Sequence, residues 1–217
     1  MHISDGVLST AVVAATYAGA AGLTGYALKG VKAEEIPKIA LMTGVFFVGS
    51  AIRIPLGPTS VHLMLTGFIG FVAGRRAPVS ILIALLLQFF LLHFGGLSSM
   101  GANVFMTALP AVLIGNFFVP LLSRHRNKAL AIGAAAGFLA VVSTVILLSL
   151  ILVQSNMRFN VGPLSTIRIL AAAHIPLMIA EAVVTGVAIQ TILKIRPEFL
   201  TAAHQQNQEG DALHENN

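Results

Sequence analysis

The chain has 217 residues, 56% of them hydrophobic and only 10% charged, where ordinary soluble domains carry roughly 25% charged residues. Its formal net charge of +5 comes from short basic clusters set between apolar blocks, which argues against a nucleic-acid-binding surface. With no cysteine, neither a disulfide framework nor a thiolate metal site is available, so a bound metal must be held by nitrogen or oxygen, with methionine sulfur as a lesser donor.

The first residues read MHISDG. No positively charged stretch precedes an apolar one there, so no cleavable signal peptide is expected and Met1 and His2 are expected to open the mature chain. Seven apolar segments follow: Ser9–Leu28, Ile36–Ile54, Thr59–Gly74, Ala77–Phe94, Asn103–Leu122, Ala129–Val153 and Ile169–Leu193. Each is long enough, or nearly so, to cross a hydrocarbon core of about 30 Å as a helix; the third is short and rich in glycine. The expected fold is therefore all-α, a polytopic membrane protein with a bundle of about seven transmembrane helices spanning residues 1–196. In the first segment small residues recur four apart, as at Ala11/Ala15, Ala15/Gly19 and Ala18/Gly22. That spacing lets membrane helices approach closely and suits the docking of another subunit. Residues 197–217 are polar and net acidic and read as a disordered tail, in which His204 and His214 are expected to be solvated.

The loops set an orientation. Lys29, Lys32, Lys38, Arg75, Arg76, Arg124, Arg126, Lys128, Lys194 and Arg196 fall on one side, and Arg53, Arg158 and Arg168 on the other. The positive-inside rule puts the larger group in the cytoplasm, the N-terminus outside and the C-terminus inside a cell membrane.

Polar residues inside apolar segments are costly and mark candidate sites. His2, His62, His93 and His174 all fall toward the outer face, and His125 in a cytoplasmic loop. His62 sits in GPTSVHLMLTG, an irregular stretch of the kind tolerated at depth where it is buried or lines a cavity. In AHIPLMIAEAVVTG, His174, Met178 and Glu181 share one helix face at i, i+4 and i+7. Glu181 is the one acidic residue inside any apolar block; a structural pairing and a functional role both fit it. His93 and His174 fit interfacial residues bonded to carbonyls as well as site residues. The loop HFGGLSSMGAN, which includes Ser98, is uncharged and fits a lid over a site, a packed re-entrant loop or a plain connector.

The opening residues carry specific chemistry. The α-amine of Met1, the amide of His2 and its imidazole offer three nitrogens in fused chelate rings. A fourth nitrogen would complete a square, the geometry that suits Ni(II) or Cu(II). His62 is the fourth donor; Asp5 is an alternative, or an outer residue that orients a histidine.

Together MHISDG, GPTSVHLMLTGFIG, HFGGLSSMGANVFMTALPA and AAAHIPLMIAEAVVTG resemble the CbiM/NikM family, the metal-specific substrate-capture components of energy-coupling factor (ECF) type cobalt/nickel ABC importers. The resemblance runs from Met1 to about Ile195. It implies a seven-helix membrane protein with the N-terminal segment tucked into the bundle, and Ni²⁺ or Co²⁺ held by Met1, His2 and His62. It implies further that the Gly-rich loop with His93 and Ser98 closes the site and that Asn103 stands behind it. The partners implied are a transmembrane coupling subunit and cytoplasmic ABC ATPases, with or without a small accessory membrane subunit. No G-x-x-x-x-G-K-[ST] is present here, which fits that division of labour. Ser4 departs from the proline common at that place in the family, and Ni²⁺ versus Co²⁺ stays open.

Two other readings compete. A stand-alone secondary transporter would exchange a divalent metal for protons through His174 and Glu181. An intramembrane enzyme lacks support: there is no H-E-x-x-H and no pair of carboxylates within the segments, so neither catalysis nor a catalytic cofactor is expected.

Overall fold

The computed structural model describes residues 3–56, 59–162, 165–197 and 199–200. In lipid each backbone N–H and C=O must be satisfied within its own segment, so long uncharged apolar runs become helices. Among the described residues seven α-helices form: α1 (Thr10–Leu28), α2 (Ile36–Ala51), α3 (Thr66–Ala73), α4 (Ala77–Leu92), α5 (Met100–Arg124), α6 (Ala129–Ser155) and α7 (Thr166–Ile195). Among the described residues five stretches are long and apolar enough to cross a membrane. They are α1, α5, α7, α6 with the turn before it, and the run from α3 through α4. This is a multi-pass membrane protein. Helix α2 has 16 residues, about 24 Å at the usual helical rise, and falls short of that length.

The third predicted segment is not a single helix. Its start is a strand, β2 (Thr59–His62), paired antiparallel with β1 (Arg53–Leu56) in the register that sets Arg53 opposite His62. The helical remainder, α3, has eight residues, about 12 Å. β-branched Thr59 and Val61 favour extended backbone. Leu65 turns the corner from β2 to α3 with φ 51°, a left-handed conformation a bulky residue keeps only where its surroundings hold it. Gly74, at φ 53°, ends α3, and a short 3₁₀ turn leads into α4.

Helix α3 lies at the centre, buried along its length except for half-buried Phe68. Glycine is what allows this. A Cβ on Gly70 would stand 2.2 Å from the Ala111 carbonyl oxygen of α5, and one on Gly115 would stand 2.4 Å from that of Gly70. The same device closes α6 on α7, where a Cβ on Gly137 would meet the Glu181 carbonyl oxygen at 2.4 Å. Such backbone proximity replaces the hydrophobic drive that lipid removes. On α1, by contrast, Ala11, Ala15, Ala18 and Gly22 face outward, and only Gly19 of that series takes a neighbour, the Phe105 ring.

The end of the bundle carrying most basic residues is tied by a buried ion pair. Arg76 Nε and Nη2 donate to Glu35 Oε1 and Oε2, each at 2.7 Å. Its remaining N–H groups reach the carbonyls of Ala27, Lys29 and Gly30 at the end of α1. Burial alone would push the Glu35 carboxyl up; the Arg76 guanidinium and the Lys32 amide override it and hold it below the usual carboxylate range. Farther along, Leu200 is buried in the core and the Lys38 ammonium donates to the Phe199 carbonyl at 3.2 Å. The polar tail with His204 and His214 lies outside the described residues.

Candidate metal centre

Met1 and His2, two of the three expected metal ligands, lie outside the described residues. The grip on the chain directly after them is described. Ile3 is buried, and its main chain pairs with the side-chain amide of Asn103 on α5. The Ile3 N–H donates to Asn103 Oδ1 at 2.8 Å, and Asn103 Nδ2 donates to the Ile3 carbonyl at 3.0 Å. The Ser99 hydroxyl donates to that same carbonyl. One amide thus does for residue 3 what a neighbouring β-strand would do, satisfying both backbone groups in the interior.

Asp5 makes the second hold. Its carboxylate accepts from the Ser98 amide at 2.7 Å, the Ser98 hydroxyl at 2.5 Å and the Leu97 amide at 3.1 Å. The Ser98 hydroxyl foremost, with the amides of Ser98, Leu97 and Ser99, holds the Asp5 carboxyl below its usual range. Gly96 makes the approach possible, because a Cβ there would stand 2.3 Å from Asp5 Oδ1. Tyr17 on α1 donates to the Leu97 carbonyl, and Ser155 at the end of α6 accepts from the Ser9 amide at 2.5 Å. Of the readings the sequence allows, the uncharged loop after α4 fits the packed one and is not a bare connector. It is a clasp on residues 3–5.

His62 closes β2 and is buried. Its Nδ1 faces the Leu63 carbonyl at 3.1 Å. A carbonyl only accepts, so Nδ1 carries the proton and Nε2 the lone pair, the tautomer that binds a metal through Nε2. His174 is likewise buried, with Nδ1 on the Leu170 carbonyl at 2.6 Å, and it lies within electrostatic reach of His62. Glu181 is fully buried. One of its oxygens, Oε1, accepts from the Leu65 amide at 2.8 Å and from the Met64 amide. Glu181 is therefore joined to the main chain that follows His62, and no described bond links it to His174. His93, by contrast, is exposed at the end of α4 with φ 55°.

Leu170 links these parts. It packs against the cluster of Ile3, Ala102 and Met106, and against the cluster of Met64, Val141 and Leu177. The start of the chain and the His62 segment therefore meet on α7. Among the described residues no three His, Asp or Glu side chains form a metal-binding group. Sequence reasoning missed Gly96, Ser99, Ser155 and the amides of Met64 and Leu65. The only signal for the first two was the uncharged Gly/Ser composition of their loop.

Residues 2–199 match the family described as the cobalt uptake substrate-specific transmembrane region. A Haemophilus influenzae protein provisionally named for metal transport is 32% identical over 202 residues, covering 92% of this chain and 97% of that one. The cobalt transport protein CbiM of Geobacter sulfurreducens is 29% identical over 215 residues, covering 92% of this chain and 61% of the relative. A crystal structure of a transition metal transporter superposes with a TM-score of 0.74 at 24% identity, over 90% of this chain and 93% of the other. At that identity the likeness is one of fold.

Proposed function

Because the chain belongs to the family of cobalt uptake substrate-specific transmembrane regions, we propose that it captures Ni²⁺ or Co²⁺ outside the cell and passes it inward as the substrate-binding component of an ECF-type importer. The ion is held in a square of nitrogens: the Met1 amine, the His2 amide and imidazole, and His62 Nε2. One observation carries this reading. Ile3 is fastened in the interior by Asn103 and Ser99 and shares Leu170 with the His62 segment, which supports donors from residues 1 and 2 meeting His62. In this reading the N-terminal segment is tucked into a bundle of seven membrane segments, α2 and α3 included. The N-terminus lies outside and the C-terminus in the cytoplasm, where the Arg76–Glu35 pair ties the inner end. A transmembrane coupling subunit docks on the outward small-residue face of α1, and ABC ATPases, with or without a small accessory subunit, drive the cycle.

The test is metal binding by the purified full chain with Ni²⁺ and Co²⁺. The native N-terminus should bind one ion per chain. His62→Ala should weaken binding by at least the roughly 10–100-fold that loss of an outer partner alone produces, and residues added before Met1 should do comparable harm. Full binding by an extended chain would sink the chelate.

A further inference from the structure

The bond from the Met64 amide to Glu181 and the bond from His62 Nδ1 to the Leu63 carbonyl meet in one peptide unit, since the Leu63 C=O and the Met64 N–H belong to the same amide. That unit is planar and trans, so fixing its N–H fixes the direction of its C=O. Resting on the capture reading above, we propose that Glu181 is the positioning residue for His62. Its carboxylate grips the Met64 and Leu65 amides and, through the peptide between Leu63 and Met64, sets the orientation and electron density of the imidazole that takes the ion.

Three observations support this. First, Glu181 is fully buried and its other oxygen, Oε2, has no partner among the described residues, so its described bonds go only to these two amides. Second, the gripped residue Leu65 has φ 51°, a conformation a branched side chain does not hold unaided. Leu65 heads α3, which lacks a side-chain cap of its own; Glu181 supplies the acceptor from another helix. Third, hydrogen bonds in series polarise one another. A carboxylate on the N–H makes the C=O a stronger acceptor for Nδ1–H, and that makes Nε2 a stronger donor to a metal. Glu181 lies 117 residues from Met64, so the link makes α7 a lever. A movement of α7 relative to α3 loosens His62 without touching the ion, which is what a capture site needs when it hands its cargo on.

The experiment uses the full chain with its native N-terminus, titrated with Ni²⁺ and with Co²⁺ while the visible metal absorption is recorded. Glu181→Leu removes the acceptor and should weaken binding about 10–100-fold, with a shifted metal spectrum. Glu181→Gln keeps a carbonyl oxygen for both amides but not the negative charge, so it should recover most of the affinity lost in Glu181→Leu, with a metal spectrum between that variant and wild type. If Glu181→Leu does not fold, Glu181→Asp, which draws the carboxylate back by one methylene, should show the same weakening. Wild-type affinity and spectrum in a folded Glu181→Leu or Glu181→Asp, alongside loss of binding in His62→Ala, would overturn the positioning role and leave the capture reading standing. A wild-type chain that binds neither ion would overturn both.

Discussion

Asn103 shows how much one side chain can carry. A primary carboxamide carries one N–H on the same side as its C=O, so it can pair with both backbone groups of Ile3 at once. Neither alanine nor aspartate can repeat this. Asn103→Ala leaves a buried N–H and a carbonyl short of partners, a cost of about 1–3 kcal/mol. Asn103→Asp keeps the acceptor but turns a second oxygen toward the Ile3 carbonyl. Both variants should lower the unfolding temperature of the solubilised protein and weaken Ni²⁺ binding roughly tenfold or more, because residues 1 and 2 lose their anchor. Calorimetric titration beside a thermal melt checks this; unchanged affinity in a destabilised Asn103→Ala would reduce Asn103 to a purely structural residue.

Among the elements, helices α1, α5, α6 and α7 were legible, since an uncharged apolar run of that length has one stable form in lipid. The β-hairpin before α3 was not. A short apolar run such as that around Val61 does not reveal by periodicity whether it is strand or helix. The pairing of Arg76 was hidden for another reason: it stands in a basic cluster, but its partner Glu35 is 41 residues earlier, and only the packing of the α1–α2 connection on the α3–α4 turn makes the pair visible. The site divides the same way. Asp5, Ser98 and Asn103 were traceable through motifs, whereas the task of Glu181 was hidden because its partners are backbone amides, which every residue has. The Glu35 pair carries a pH prediction. Its carboxyl is held below the ordinary range. Its contribution is therefore complete above the ordinary carboxylate value of about 4.3 and is lost as pH falls through the lower folded value. Melting temperature should decline on acidification through that window. Glu35→Gln should abolish that part of the pH dependence and lower stability at neutral pH by about 3–5 kcal/mol, the cost of leaving Arg76 buried without its charge partner. A mutant with the wild-type acid slope would remove Glu35 from the account.

At the scale of the whole molecule the asymmetry of lysine and arginine predicts which end faces the cytoplasm. The chain has no cysteine, so single cysteines can report this without background. Leu97, exposed in the clasp loop, and Asn127, exposed between α5 and α6, lie at opposite ends in the proposed orientation. In intact cells a membrane-impermeant maleimide should label Leu97→Cys and leave Asn127→Cys untouched until the cells are permeabilised. The reverse pattern would invert the topology and put the clasp on the wrong side for capture.

The clasp also dictates an order of birth. Ile3 waits for Asn103, 100 residues later, and Met64 waits for Glu181, 117 residues later. A ribosome delivers the N-terminal segment first, yet Ile3 has no Asn103 to pair with until α5 is made, and the Met64 amide has no Glu181 until α7 follows. In the proposed reading a nascent chain that has produced only α1 to α4 already carries the nitrogen donors but not the side chains that anchor them, so the site is completed only when the bundle closes.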